Sequence, residues 1–355
     1  MKGKRMMVIS DVQKELIGTG SLLTKKGEVS QVGWARQPLL DCNLEKAAFY
    51  ALRPLQHLRM KRWDYYGLIT EQRFYSFTLA DLGYAGQVFA YVVDFARQKC
   101  EEATLTVPFG NGIHLTRNSN SKGTSSFDNG NVRLSFQASP GGRKISVNWP
   151  GFCGKGLSAE VQMSLPEKHE SMVIVIPIGT RRFYYNRKVN CMPCFGWVQY
   201  GTEYVEIKPE RHLGNLDWGR GVWDYRSFWV WASASGFLSD GGTLGLNLGF
   251  GFGDTSAATE NTILINGCNH KLGQVSFHYN PQNFKEPWKM SSSDGRLDLT
   301  FTPFLERVAK TDLKVITSEV HQMFGRYTGK VVSDEGKTIP VDGLVGFAEE
   351  HHAKW

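Results

Sequence analysis

The chain has 355 residues, 41% hydrophobic and 21% charged, enough for two folded domains that each bury a core. No apolar run reaches the length of a membrane-spanning helix, and six scattered cysteines argue for reduced thiols rather than a secreted disulfide scaffold. The net charge of +7 aids solubility and favours an anionic ligand, without the long basic stripe of a nucleic-acid binder.

Residues 1–19 begin with Lys2, Lys4 and Arg5, but Asp11, Gln13, Lys14 and Glu15 interrupt any apolar segment. No secretory signal is expected, and the location implied is cytoplasmic. Residues 44–52 read as a helix capped by Asn43. Residues 94–103 are helical in composition, although their place between strands speaks against it. Residues 118–130, rich in Gly, Ser and Asn, read as a mobile loop. Val132, Leu134 and Phe136 alternate, Ser139-Pro140-Gly141-Gly142 turns, and Ile145, Val147 and Trp149 alternate back, which predicts a hairpin. Residues 172–178 form an apolar run suited to a strand buried on both faces.

The densest basic stretch, residues 181–188, interleaves Arg181, Arg182, Arg187 and Lys188 with Phe183, Tyr184 and Tyr185. Such a pattern can stack on single-stranded nucleic acid. An exposed strand between two domains is the preferred reading, so no nucleic-acid partner is expected. Cys191-Met192-Pro193-Cys194 is a lone C-x-x-C without the second pair that zinc requires or the helix that redox chemistry uses. The glycines at 249, 251 and 253 have the wrong spacing for a dinucleotide fingerprint. No metal or cofactor is therefore expected, and His351-His352 reads as a solvated end.

The most informative segment lies between Asp217 and Asp254. Leu244, Leu246, Leu248, Phe250 and Phe252 share one strand face, while Gly245, Asn247, Gly249, Gly251 and Gly253 share the other. A strand bare on one face has something large against it. The odd-numbered residues Trp223, Tyr225, Ser227, Trp229, Trp231 and Ser233 are the expected occupants, facing Asn247 in a common interior. That interior is either a ligand cavity or a filled core. Further on, Asn266-Gly267 predicts a hairpin from 262–265 back through 274–277, and residues 330–332 and 338–341 flank a turn.

Strand density predicts an all-β sandwich or barrel. Trp63-Asp64-Tyr65 and Trp223-Asp224-Tyr225 are identical and 160 positions apart, which suggests a duplication. The expected organisation is an N-terminal segment at 1–30, a first domain at 31–180 and a second at 181–355.

The succession from Lys61 to Tyr66, then Phe74 to Thr78, Leu216 to Trp223, Glu260-Asn261, Pro287-Trp288 and Gln322 to Gly325 resembles an uncharacterised bacterial family. That family is grouped distantly with carotenoid hydratases, tocopherol cyclases and lipocalin-like Diels–Alderases. The resemblance implies two tandem lipocalin-like antiparallel β-barrels and a hydrophobic, isoprenoid- or lipid-like small molecule as ligand.

Hydration or cyclisation of an alkene needs a proton donor, and an apolar pocket can keep a carboxylic acid protonated. Glu260, Asp224 and Asp217 are the candidates, in that order. An ion pair between Asp217 and Arg220 would keep Asp217 charged. Trp223, Tyr225, Ser227, Trp229, Trp231, Asn247, Asn261 and Arg220 are the candidate ligand-binding residues. The expected activity is a cofactor-independent cyclase, hydratase or isomerase. The alternatives are a carrier that leaves its ligand unchanged and a protein-interaction module. Neither the ligand nor the oligomeric state is legible.

Overall fold

A computed structural model describes residues 13–312, 314 and 316–354. The expectations for the extreme N-terminus fall largely on residues 1–12, outside that range. Nearly all regular structure is antiparallel β. Among the described residues the helical elements are three short 3-10 turns, and no helix is long and apolar enough to cross a membrane.

The first sheet has thirteen strands. Its spine runs Lys99–Pro108, Ala85–Asp94, Arg73–Asp81, Met60–Ile69, Leu213–Val222, Arg182–Tyr200, Leu157–Ser164, Gly142–Trp149, Arg133–Ser139 and Gly123–Asp128. Met172–Gly179 and Glu203–Ile207 pair onto the long strand Arg182–Tyr200, and Gly33–Ala35 pairs onto Met172–Gly179. The second sheet has nine strands, centred on Thr338–Lys354, which pairs with Arg226–Phe237 on one side and Thr317–Val332 on the other. Among the described residues no ladder joins the first strand of either sheet to its last. Both sheets curl like half-barrels arranged in tandem, the coarser form of the expected pair of lipocalin-like barrels.

Several local expectations hold. The hairpin of Arg133–Ser139 and Gly142–Trp149 turns at the predicted residues, and Met172–Gly179 is buried along its first half. Others are overturned. Residues 44–52 hold only the 3-10 turn Leu44–Lys46, without a side-chain cap from Asn43. Residues 94–103 run through a turn into the strand Lys99–Pro108. Residues 118–130 contain the strand Gly123–Asp128. The Asn266-Gly267 turn returns through Cys268–Lys271, and Val275–His278 pairs instead with Trp288–Ser292. The basic stretch leads into the centre of the first sheet, where Arg187 and Lys188 are buried, so it is not an exposed strand between two domains.

The duplication argument also fails. Trp63, Asp64 and Tyr65 lie within Met60–Ile69, whereas Trp223, Asp224 and Tyr225 form the connection between Leu213–Val222 and Arg226–Phe237. Sheet membership changes in that connection rather than near residue 180, because Arg182–Tyr200 and Leu213–Val222 complete the first sheet.

Every residue of Leu213–Val222 is buried, which follows from its position between two cores. Leu216, Trp218 and Val222 join Tyr66, Phe136 and Tyr185 in the core of the first sheet. Asp217 and Gly219 project the other way, towards the second sheet. Arg226–Phe237 is divided likewise: Val230, Ala232 and Ala234 pack with Leu244, Leu246 and Leu248 in the second core. Trp229 and Trp231 face the first sheet. The predicted alternation is therefore present, but its aromatic side lines the seam between the sheets rather than a barrel interior.

The bare face of Thr243–Phe250 has its explanation in this seam. A Cβ on Gly245 would stand 2.6 Å from Asn190 Cβ and 3.1 Å from Cys191 Sγ, so the first sheet itself occupies the missing space. Gly245→Val is expected to cost about 1–3 kcal/mol through overpacking. Gly151→Ala, with nothing within 4 Å and an ordinary φ of −88°, should be close to neutral. Urea unfolding of the two variants checks this, and equal midpoints would overturn the packing account.

Candidate functional site

The seam is apolar at its edges and polar at its centre. Because strands alternate faces, Tyr184, Asn186, Lys188 and Asn190 all leave Arg182–Tyr200 on the seam side, opposite Phe183, Tyr185, Arg187 and Val189. No water-exposed face remains there, so each polar group needs a partner within the protein. Lys188 Nζ meets Asp217 Oδ2 at 2.9 Å, and Asn186 donates to Asp217 Oδ1 at 2.6 Å. The same ammonium stands 3.6 Å from the centroid of the Trp231 ring. Trp231 Nε1 donates to Asn247 Oδ1 at 2.8 Å, and Asn247 Nδ2 donates to the Glu260 carbonyl at 2.8 Å.

Glu260 ends the chain of contacts. It leads out of the irregular segment 251–259, which opens with Gly251 at φ +89° and Gly253 at φ +70°. The left-handed backbone at Gly253 also lets the chain pass close to Ile176, whose Cδ1 would lie 2.6 Å from a Cβ there. Phe252, on the same segment, packs 4.5 Å from Trp223 and 5.1 Å from Tyr184, centroid to centroid. Gly249 leaves room for the Glu260 carboxyl, into which any Cβ would run. Glu260 Oε2 is buried without a hydrogen-bond partner. Burial raises this carboxyl above its usual range; the Lys188 ammonium opposes the shift and the Asp217 carboxylate adds to it.

A second carboxyl shares the seam. Glu349 accepts from Trp229 Nε1 at 3.1 Å and from Gln322 Nε2 at 2.9 Å. Burial raises it as well, with the Trp229 hydrogen bond and the Arg307 and Lys188 charges opposing. Tyr184 is pushed well above the ordinary phenol range by burial, then by the charges of Glu260 and Asp217.

The sequence-predicted residues separate into three groups. Glu260, Asp217, Trp229, Trp231 and Asn247 meet in the seam, and Trp223 joins the aromatic cluster at its edge. Asn261 is structural in its contacts, accepting from Gly249 N at 2.7 Å and donating to the Gly273 carbonyl at 3.1 Å. Asp224, Tyr225, Ser227 and Arg220 lie elsewhere. Asp224 pairs with Arg182 at 2.5 Å near the surface, Tyr225 is exposed, and Ser227 Oγ donates to the Asp224 carbonyl at 3.2 Å.

Arg220 does not pair with Asp217. Three residues apart on a strand, the two project to opposite faces, and Arg220 pairs inside the first core with Asp64 at 2.9 Å. Lys188, Tyr184 and Glu349 are the seam residues that sequence reasoning missed. The alternation of 182–190 carried a signal for the first two, since a central strand would bury its even face. Cys191 and Cys194 are buried, and no cluster of three metal-ligating side chains occurs among the described residues.

Open space in the seam is small. A crevice of about 10 Å³ lies between Phe74, Asn215, Ser233, Ser235 and Phe347, room for about one water molecule.

The raised carboxyl of Glu260 has a signed consequence for stability. Folding favours its protonated form, so its contribution is undiminished below the unfolded value near 4.5 and falls as pH rises from there towards the folded value. The slope is about 1.4 kcal/mol per pH unit within that window. Glu260→Gln is expected to flatten the loss of stability above pH 4.5. Chemical denaturation between pH 4 and 8 checks it, and parallel profiles for the two proteins would overturn the assignment.

Comparison with known proteins places the fold. The chain superposes on an AttH-type protein from Nitrosomonas europaea at 14% identity and a TM-score of 0.50, over 87% of this chain and 95% of that one. A second likeness is to kievitone hydratase from Nectria haematococca, at 12% identity and a TM-score of 0.47, over 83% and 88% of the two chains. At 14% identity the first likeness is one of fold alone. No curated protein matches the chain in sequence. Residues 13–355 match the family described as domain of unknown function DUF2804, and the chain belongs to that family.

Proposed function

We propose that this protein is a cytoplasmic, cofactor-independent acid catalyst acting on a hydrophobic unsaturated molecule, with Glu260 as proton donor. The observation that carries the reading is the Glu260 carboxyl, whose Oε2 is buried without a hydrogen-bond partner and whose protonated form is favoured by that burial. A carboxylic acid whose affinity for its proton is raised by burial can protonate an alkene carbon. The cation so formed is then captured by water or by a nucleophile within the same molecule. The proton released returns to the Glu260 carboxylate, and no redox partner enters the balance.

The neighbouring groups have defined parts in this reading. Trp231, Trp229 and Tyr184 present aromatic faces that stabilise a transient cation. Asp217, held in place by Lys188 and Asn186, adds negative potential that favours the protonated acid and the cation and offsets part of the opposing Lys188 charge. Asp224 has no direct role, because its carboxylate is bound to Arg182 away from the seam. The segment 251–259, with Phe252 and its two left-handed glycines, lifts to admit the substrate.

The test is incubation of the protein with extracted cellular lipids, followed by analysis of what is retained and what is converted. Glu260→Gln should lower conversion by about two to four orders of magnitude while leaving retention of a hydrophobic ligand nearly unchanged. The wild-type rate should fall as pH rises through the Glu260 pKa. Retention of an unmodified ligand by both proteins would leave a carrier. Conversion that survives Glu260→Gln would remove Glu260 as the acid.

A further inference from the structure

The core of the first sheet carries more positive charge than it neutralises. Arg143, Arg187 and Arg220 are 2%, 2% and 1% exposed. Asp64, itself buried, pairs with Arg220 at 2.9 Å and accepts from Ser125 Oγ at 2.6 Å. Arg143 and Arg187 form no ion pair among the described residues. Their partners are neutral, and those of Arg187 are distant: Nε reaches Ser171 Oγ at 3.2 Å, one terminal nitrogen reaches Ser119 O and Oγ at 3.3 Å, and the other reaches Gln37 Oε1 at 3.4 Å. Arg143 donates to the Ser139 and Gly142 carbonyls at 3.1 and 2.8 Å, and to the same Ser119 carbonyl that Arg187 approaches.

Two guanidiniums thus converge on one carbonyl. Burial, and after it the charge of Arg143, depress Arg187 to about 9. The adjacent phenols supply no counter-charge. Tyr66 is pushed up to about 12 by burial, and Tyr185, likewise raised by burial, donates its hydroxyl to the Leu40 carbonyl at 3.0 Å. A buried guanidinium without a carboxylate is costly, and two side by side repel each other. An anion would supply the missing counter-charge, and the planar forks of arginine suit a bidentate oxyanion.

We propose that Arg143 and Arg187 form an internal oxyanion site in the first sheet, which takes a carboxylate or phosphate group on the Ser119 side. Bonds of 3.3–3.4 Å to Ser119 and Gln37 are then replaced by shorter charge-assisted ones. The site is closed by the loops that carry Gln37 and Ser119, which are tied together through Asn118 Oδ1 to Cys42 N at 2.7 Å and Asn120 Nδ2 to the Pro38 carbonyl at 3.0 Å. It is independent of the reading of Glu260, because Arg187 and Lys188 leave the same strand on opposite faces. The anion is either free or the headgroup of an aliphatic acid.

Calorimetry and thermal unfolding in chloride-free buffer at fixed ionic strength distinguish these cases, with acetate, inorganic phosphate and dodecanoate below its micellar range as probes. At a hundredfold excess over Kd, a binding probe should raise the wild-type Tm by about 5 °C. Arg187→Met removes an uncompensated buried charge, so without anion it should unfold at or above the wild-type temperature. Its affinity for the probe should be at least about tenfold weaker. Arg143→Met provides the same readouts if the first variant does not fold. Dodecanoate binding at least tenfold tighter than acetate assigns the site to a headgroup, and similar affinities assign it to a free anion. Absence of heat and of any Tm rise in the wild type with all three probes would overturn the proposal. So would an equal Tm rise in wild type and both variants.

Discussion

The central strands of the first sheet have no solvent side, and most of the molecule's character follows from that constraint. Each of Met60–Ile69, Arg73–Asp81, Leu213–Val222 and the first half of Arg182–Tyr200 gives one face to its own core and the other to the second sheet. Wherever the sequence places a polar residue on such a strand, the protein must satisfy it internally. The ion pair of Lys188 and Asp217 is one answer, and the pair of Arg220 and Asp64 is another. Desolvation offsets much of the Coulombic gain of such pairs, so their value lies less in stability than in fixing which faces meet. Glu260 and Glu349 enter the same dry seam without a full counter-charge, and their raised affinity for protons is the result.

Much of this was legible in residue alternation. The bare face of 245–249 announced that something large lay against it, and Trp229 and Trp231 share one side of their strand as expected, whereas Trp223 and Tyr225 fall in the connection before it. The turns at 139–142 and 266–267 were readable from their chemistry. What alternation does not reveal is which surface a face meets. The apolar side of 244–248 faces its own core and the aromatic side faces another sheet, yet both sides have the pattern of an interior.

Long-range pairing was the other hidden quantity. Leu213–Val222 pairs with Met60–Ile69, so residues far apart in sequence lie side by side, and strands on both sides of residue 180 share one sheet. The repeated Trp-Asp-Tyr had no bearing on equivalence, since one copy is a central strand and the other a connection. Asp217 and Arg220 looked like a pair because they are near in sequence, whereas strand parity alone separates them. The acid ranked first, Glu260, is in the seam for a reason visible only in three dimensions, namely the space that Gly249 leaves.

The position of Thr338–Lys354 has a consequence for how the chain acquires its fold. This strand is the last in sequence, yet it sits in the middle of the second sheet, with Arg226↔Lys354 at one register and Thr317↔Lys354 at the other. During synthesis the strands from 226 to 271 and those from 275 to 332 emerge as two groups without the strand that joins them. Each then carries an edge open to wrong pairing until residues 338–354 arrive. Sheet order of this kind gives a high contact order and slow, late consolidation. Because Phe347 and Glu349 lie on that same strand, the seam is completed only when the second sheet is.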